Sequence, residues 1–141
     1  MPTSHERTLL IRESHLDTFG HVNNATYLQI FEESRWDWIT EGGFGLAKIR
    51  ERGLGPTILE IKIRFLRELT LRDEVKVRTE LGEITGKIYE IKQAILKADG
   101  TVACEALFRC GLFDLSARRL VALTPEWLST LGVEPDQSAK S

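Results

Sequence analysis

Cysteine is nearly absent from this chain, which has only Cys104 and Cys110. Six positions apart in one strand-like run, they fall on the same face of the same strand, so the spacing suggests neither a disulfide nor a zinc site. An excess of charge of one sign is missing as well. Nineteen Lys and Arg against 21 Asp and Glu leave a net charge of -2, too little field to draw the chain to nucleic acid or to an anionic membrane. No apolar run approaches the ~20 residues that span a bilayer, and the opening MPTSHERT lacks the apolar core of a signal peptide. A cytoplasmic protein is expected, with no membrane span and no nucleic-acid partner. Internal repeats, low-complexity segments, a P-loop and a G-x-G-x-x-G cradle are also lacking.

What remains, 141 residues with 42% hydrophobic and 28% charged, is the composition of one ordinary folded domain. The stretch that organises it is HLDTFGHVNNATYLQIFEESRWDW, His15 to Trp38. It opens as a polar loop and turns at Ala25 into a helical pattern running to Thr40. Tyr27, Leu28, Phe31, Trp38 and Ile39 recur at three- and four-residue spacings, Ile30 and Trp36 widen the apolar side, and Gln29, Glu33 and Asp37 oppose it. Such a helix is expected at the centre of the core, with the loop at its N-terminus.

Thr8 to Glu13 reads as a first strand. Gly42, Gly43 and Gly45 end the long helix, and Leu46 to Arg52 adds a helical turn before Gly53. From Pro56 the period becomes two: Leu59, Ile61, Ile63 and Phe65 alternate with Glu60, Lys62 and Arg64, the pattern of a strand with one buried face. Val75 to Leu81 repeats it, Gly82 to Gly86 breaks the run, and Ile88 to Lys97 forms another strand. Asp99-Gly100 signals a hairpin into a long strand from Thr101 to about Asp114. Ser116 to Arg119 turns the chain. Thr124-Pro125 then caps and starts a short helix that Gly132 closes, with a frayed tail from 133 to 141. The sum is an α+β domain over residues 1–132, one long helix laid across about five antiparallel strands, with exposed edges that call for a second copy.

The loop and helix D-T-F-G-H-V-N-N-A-T-Y-L with F-E-E behind it, the strand I-K-I-R-F-L-R, the L-R-D-E-V turn, the D-G hairpin and the late T-P-E together resemble the hotdog-fold thioesterases of the 4-hydroxybenzoyl-CoA thioesterase-like group. The likeness covers nearly the whole chain. It implies a sheet wrapped around the helix, hydrolysis of acyl-CoA without cofactor or metal, and a homodimer or homotetramer with shared active sites. It further implies that Asp17 attacks the thioester or activates water, that Gly20 shapes the loop, that Tyr27 packs early in the helix, and that the N–H of Asn24 polarises the carbonyl. One position departs: many relatives have an acid where this chain has His15.

The chemistry is coherent in itself. Thioester hydrolysis needs a base or nucleophile on one side of the carbonyl and positive partial charge at its oxygen. A helix N-terminus offers free N–H groups and the positive end of the macrodipole. On the residues alone, Asp17 serves equally well as a helix cap. His21 either assists proton transfer or is held by backbone hydrogen bonds, Val22 adjoins the substrate, and Asn23 shapes the turn or positions water. His15, Asp17 and His21 match no metal-ligand spacing. Glu32 and Glu33 read as surface or partner contacts, and Cys104 is a poor nucleophile in mid-strand. Lys62, Arg64, Arg67, Arg72 and Lys87 either solvate the sheet or meet the phosphates of CoA. Two other functions share the fold: an enoyl-CoA hydratase or dehydratase, whose loop carries an N-P that is missing here, and a non-catalytic acyl-CoA binding module, which needs no carboxylate.

Overall fold

In the computed structural model, residues 3–134 are described. Helix α1 spans Asn24–Glu41, and its start is dictated by Asn23, whose extended backbone (φ −68°, ψ 147°) lets its side-chain oxygen accept the Ala25 N–H at 2.8 Å. Its far end is fixed by Gly42. A Cβ there would lie 2.6 Å from the carbonyl oxygen of Thr130, so only glycine lets the short helix α3 (Pro125–Thr130) close on the end of α1. Helix α2 (Leu46–Arg52) follows and stops at Gly53, whose φ of +66° is the left-handed conformation glycine adopts freely.

The strands are β1 (Ser4–Leu10), β2 (Leu54–Phe65), β3 (Glu74–Thr85), β4 (Ile88–Lys97) and β5 (Val102–Asp114), joined antiparallel in the order β1-β3-β4-β5-β2. A three-residue strand β6 (Arg119–Val121) pairs with the end of β5. The α1 segment carries the chain across the sheet, which is why β1 and β2, adjacent among the strands in sequence, lie on opposite edges. One sheet face receives α1. Val75, Val77, Tyr89, Ile91, Ile95, Phe108 and Leu112 meet Tyr27, Ile30, Phe31, Trp38 and Ile39 there, all buried. Each large side chain so covered contributes roughly 1.5–3 kcal/mol. Buried Gln93 sets the helix on the sheet: its amide nitrogen donates to the carbonyl of Phe31 at 3.0 Å and to Oγ1 of Thr79 at 2.9 Å. Satisfied polar groups inside a core fix one alignment among several that apolar contact would tolerate.

Five expectations are corrected. The first strand begins earlier and ends at Leu10, because Glu13–His15 turns into a single 3-10 turn. Gly82 does not end β3; a bulge between Leu81 and Ile84 absorbs it, and the chain reverses at Gly86-Lys87. The sixth strand was too short to show a period. Trp36 faces outward at 37% exposure and Leu28 is half-buried. The apolar face of β2 is open too, with Leu59, Ile61 and Phe65 at 48%, 42% and 48% exposure, since α1 covers that edge strand only in part. The Asp99-Gly100 hairpin and the Thr124 cap are as expected: Thr124 Oγ1 accepts the Trp127 N–H at 3.1 Å. Of the expected tail, residues 135–141 lie outside the described residues, and the Val133 N–H donates to the carbonyl of Leu128 at 2.9 Å. No helix among the described residues is long and apolar enough to cross a membrane.

Candidate active site

The loop before α1 is built around Asp17. Its Oδ1 accepts the N–H of Phe19 at 2.9 Å and that of His21 at 3.1 Å, while its own N–H donates to the carbonyl of His21 at 2.8 Å. Gly20 makes the turn possible at φ +82°, and a bridge between Leu16 and Val22 closes the base. An aspartate suits this position because its short carboxylate accepts local amides and so competes with continued regular structure. Asp17 is half-buried and Oδ2 takes no hydrogen bond among the described residues.

Just past this loop, α1 begins with one amide to spare. Ala25 donates to Asn23 Oδ1, and Thr26 and Tyr27 both donate to the Asn23 carbonyl at 2.9 and 3.2 Å. The N–H of Asn24 has no partner among the described residues. Asn24 lines a cleft of about 230 Å³ that it, His21, Val22 and Tyr27 share with Phe65, Leu66, Arg67 and Glu68 from the end of β2 and the segment after it. Tyr27 meets Phe65 edge-on, ring centroids 5.2 Å apart, and desolvation raises its phenol pKa above the ordinary value. His21 Nε2 pairs across the cleft with Glu68 Oε1.

The structure therefore gathers Val22, Asn24, Tyr27, His21 and Arg67 around one opening, with Asn23 capping the helix beside it and Asp17 and Gly20 in the adjoining loop. It does not gather the other cations. Lys62 and Arg64 pair with Leu107 and Glu105 on the sheet face away from α1, where they line a separate groove of about 360 Å³ with Arg78 and Lys92. Arg72 is bound to Glu13 at 2.8 Å. Lys87 sits on the β3–β4 turn, eight residues along β4 from Ile95 and so about 25 Å from the cleft end of the sheet. Cys104 and Cys110 are buried, and burial pushes both thiols up to about 12, so neither offers a thiolate. No group of His, Cys, Asp and Glu among the described residues could hold a metal ion. Glu68 and Phe65 went unread as site residues, because a contact between segments so far apart in the chain leaves no local pattern.

Residues 11–131 match the family model described as the thioesterase-like superfamily. The chain belongs to that family. It is 32% identical over 117 residues to the long-chain acyl-CoA thioesterase FadM of Escherichia coli K12, an alignment covering 82% of this chain and 88% of that one. Among solved structures it resembles the probable thioesterase YbaW of Escherichia coli, with TM-score 0.79 and 28% identity over 89% of this chain and 95% of the other. It also resembles the Staphylococcus aureus protein SAV2348, solved in complex with CoA, with TM-score 0.85 over 92% and 82% of the two chains; at 20% identity that likeness is one of fold. The chain is a hotdog-fold thioester hydrolase.

Proposed function

We propose that this thioesterase hydrolyses acyl-CoA to the free acid and CoA, with Asp17 as base or nucleophile. The observation that carries the reading is the unpartnered N–H of Asn24, a residue that lines the cleft at the start of α1 next to the Asp17 loop. With the thioester carbonyl oxygen on that N–H, the positive helix end stabilises the charge that develops on the oxygen as the carbonyl carbon becomes tetrahedral. In the base route, Asp17 takes a proton from water, the hydroxide adds to the carbonyl carbon, and the thiolate leaves and regains a proton. In the nucleophile route, the Asp17 carboxylate adds to the carbonyl carbon and expels the thiolate, which takes up a proton, and water then opens the mixed anhydride to the free acid and the Asp17 carboxylate. Acyl-CoA as substrate is supported by the FadM relative and the CoA-bound structural neighbour.

The active species in this reading is a homodimer or homotetramer. Support comes from β2, an edge strand whose Leu59, Ile61 and Phe65 stand open beside the cleft. A panel of acyl-CoA substrates with detection of the free thiol tests the reading. Release of CoA by the wild type but not by Asp17→Asn is expected; hydration of enoyl-CoA without thiol release would replace it.

A further inference from the structure

A second cavity, of about 70 Å³, lies further along the seam between α1 and β2. Ile39, Ile58 and Ile91 make its walls apolar, yet Arg35 and Tyr89 also line it, with Glu32 exposed at the rim. Arg35 is half-buried and stacked over the Phe108 ring at 4.2 Å, and its Nη1 donates to Gln93 Oε1 at 2.9 Å. It takes part in no ion pair and no other hydrogen bond among the described residues, which leaves most of a guanidinium's five N–H donors without a protein acceptor. Tyr89 is fully buried, its hydroxyl oxygen beside the Trp127 indole N–H, and its own O–H donates to no acceptor among the described residues. Buried polar groups are paired in nearly all folded proteins, so the buried Tyr89 O–H, with the free donors of half-buried Arg35 on the same cavity, calls for an acceptor that the chain does not supply.

The two openings stand in register with a linear substrate. From Asn24 to Arg35 the helix advances about 16 Å at ~1.5 Å per residue. A staggered alkyl chain with C–C bonds of ~1.5 Å advances about 1.3 Å per carbon, so one of roughly a dozen carbons, its carbonyl at Asn24, reaches Arg35 with its far end. We propose that this cavity receives the far end of the acyl chain and selects an oxygen there, a hydroxyl or a carboxylate, held by Arg35 and Tyr89. The inference rests on the acyl-CoA reading above. Glu32 repels a carboxylate at the rim and tolerates a hydroxyl, so the two ends are told apart by Glu32→Gln, which raises activity toward the carboxylate alone.

The test compares kcat/KM for dodecanoyl-CoA with its ω-hydroxy and ω-carboxy counterparts, and measures binding of the matching free acids by calorimetry. At least a tenfold preference for one oxygenated chain is expected, since a site built to hydrogen-bond a substrate oxygen discriminates strongly against the analogue without it. Arg35→Met should bring the ratio near unity. Because that change also disturbs Gln93, Tyr89→Phe is the second variant: it should reduce the preference while leaving the melting temperature unchanged or higher, which a structural role for the hydroxyl would not allow. Plain dodecanoyl-CoA turned over as well as both oxygenated chains overturns the inference. If no acyl-CoA is hydrolysed but the ω-oxygenated acid still binds at least tenfold tighter than dodecanoic acid, the thioesterase reading fails and the cavity's selectivity stands.

Discussion

The N–H of Asp17 donates to the carbonyl of His21 at 2.8 Å, and the N–H of His21 donates back to Oδ1 of Asp17 at 3.1 Å. The two residues thus hold each other across the turn at Gly20, and the geometry of the loop depends on an acceptor at Oδ1 while Oδ2 of the charged group accepts none among the described residues. Asp17→Asn keeps the acceptor and removes the charge. It should lower kcat by about 10²- to 10⁴-fold with little change in KM, and leave the melting temperature close to that of the wild type. Asp17→Ala loses the acceptor as well and should also cost about 1–2 kcal/mol of stability by denaturant titration. Near-normal turnover in Asp17→Asn would end the assignment.

His21 carries a smaller expectation. Its ring pairs with Glu68 across the cleft, and both side chains are more than half exposed, so the pair is worth little in water. Its part in the loop is played by its backbone, which any residue supplies. His21→Gln and Glu68→Gln should therefore each change kcat/KM by no more than a few-fold. A hundredfold loss in His21→Gln alone, with a changed pH–rate profile, would assign the ring to proton transfer.

These two cases show what a sequence makes legible. Asp17, Gly20, Asn23 and Asn24 belong to one continuous segment, where local rules placed the loop and the start of the helix to within a residue but misplaced the cap, which is Asn23, while Asp17 accepts amides of its own loop. The periods of α1, β4 and β5 were also local and were read to within a few residues. Glu68 opposite His21, Gln93 beneath Phe31 and Arg35 on Phe108 are pairings between distant segments, set by sheet order and by the seating of the helix. Alternation in β2 told which residues share a face but not whether anything covers it.

That uncovered face leads to an assembly prediction. On the proposed assembly, replacing Ile61, exposed on the edge strand, with Lys should give a monomer near 16.0 kDa and remove most activity. Sedimentation at low concentration reads the first effect and thiol release the second. A wild-type protein that sediments as a fully active monomer would contradict both.

The buried thiols give a pH dependence. Burial holds Cys104 and Cys110 at about 12, above the value for an exposed thiol. A group whose pKa is raised on folding binds its proton more tightly in the native state, so the unfolded chain holds fewer protons once the pH passes the unfolded thiol pKa. The stabilisation is complete below about pH 8.5 and is lost progressively as pH climbs toward 12. Chemical denaturation at several pH values should show this decline, and Cys110→Ala should lessen it, leaving the share of Cys104, while lowering stability at neutral pH through the cavity it leaves. A thiol reagent should label neither cysteine until the chain unfolds.

The placement of the cations decides which of them can act as a handle for the nucleotide of CoA. Arg67 lines the cleft with Asn24, whereas Lys62 and Arg64 lie on the other face of the sheet and Lys87 at its other end. Among the described residues Arg67 is the one Lys or Arg that lines the cleft itself. Acyl-CoA should then show a lower KM than the matching acyl-pantetheine, which lacks the phosphates, and the difference should shrink as salt rises. Arg67→Gln should raise KM for acyl-CoA a few-fold, since an exposed ion pair contributes only ~0.2–1 kcal/mol, and should leave KM for acyl-pantetheine unchanged. Turnover at saturation should hold, because a contact remote from the carbonyl serves ground state and transition state alike. Lys87→Gln is the control and should change neither constant. If instead Lys62→Gln or Lys87→Gln raises KM and Arg67→Gln does not, the phosphates are held by a second copy's sheet face, and the handle belongs to the assembly and not to the chain.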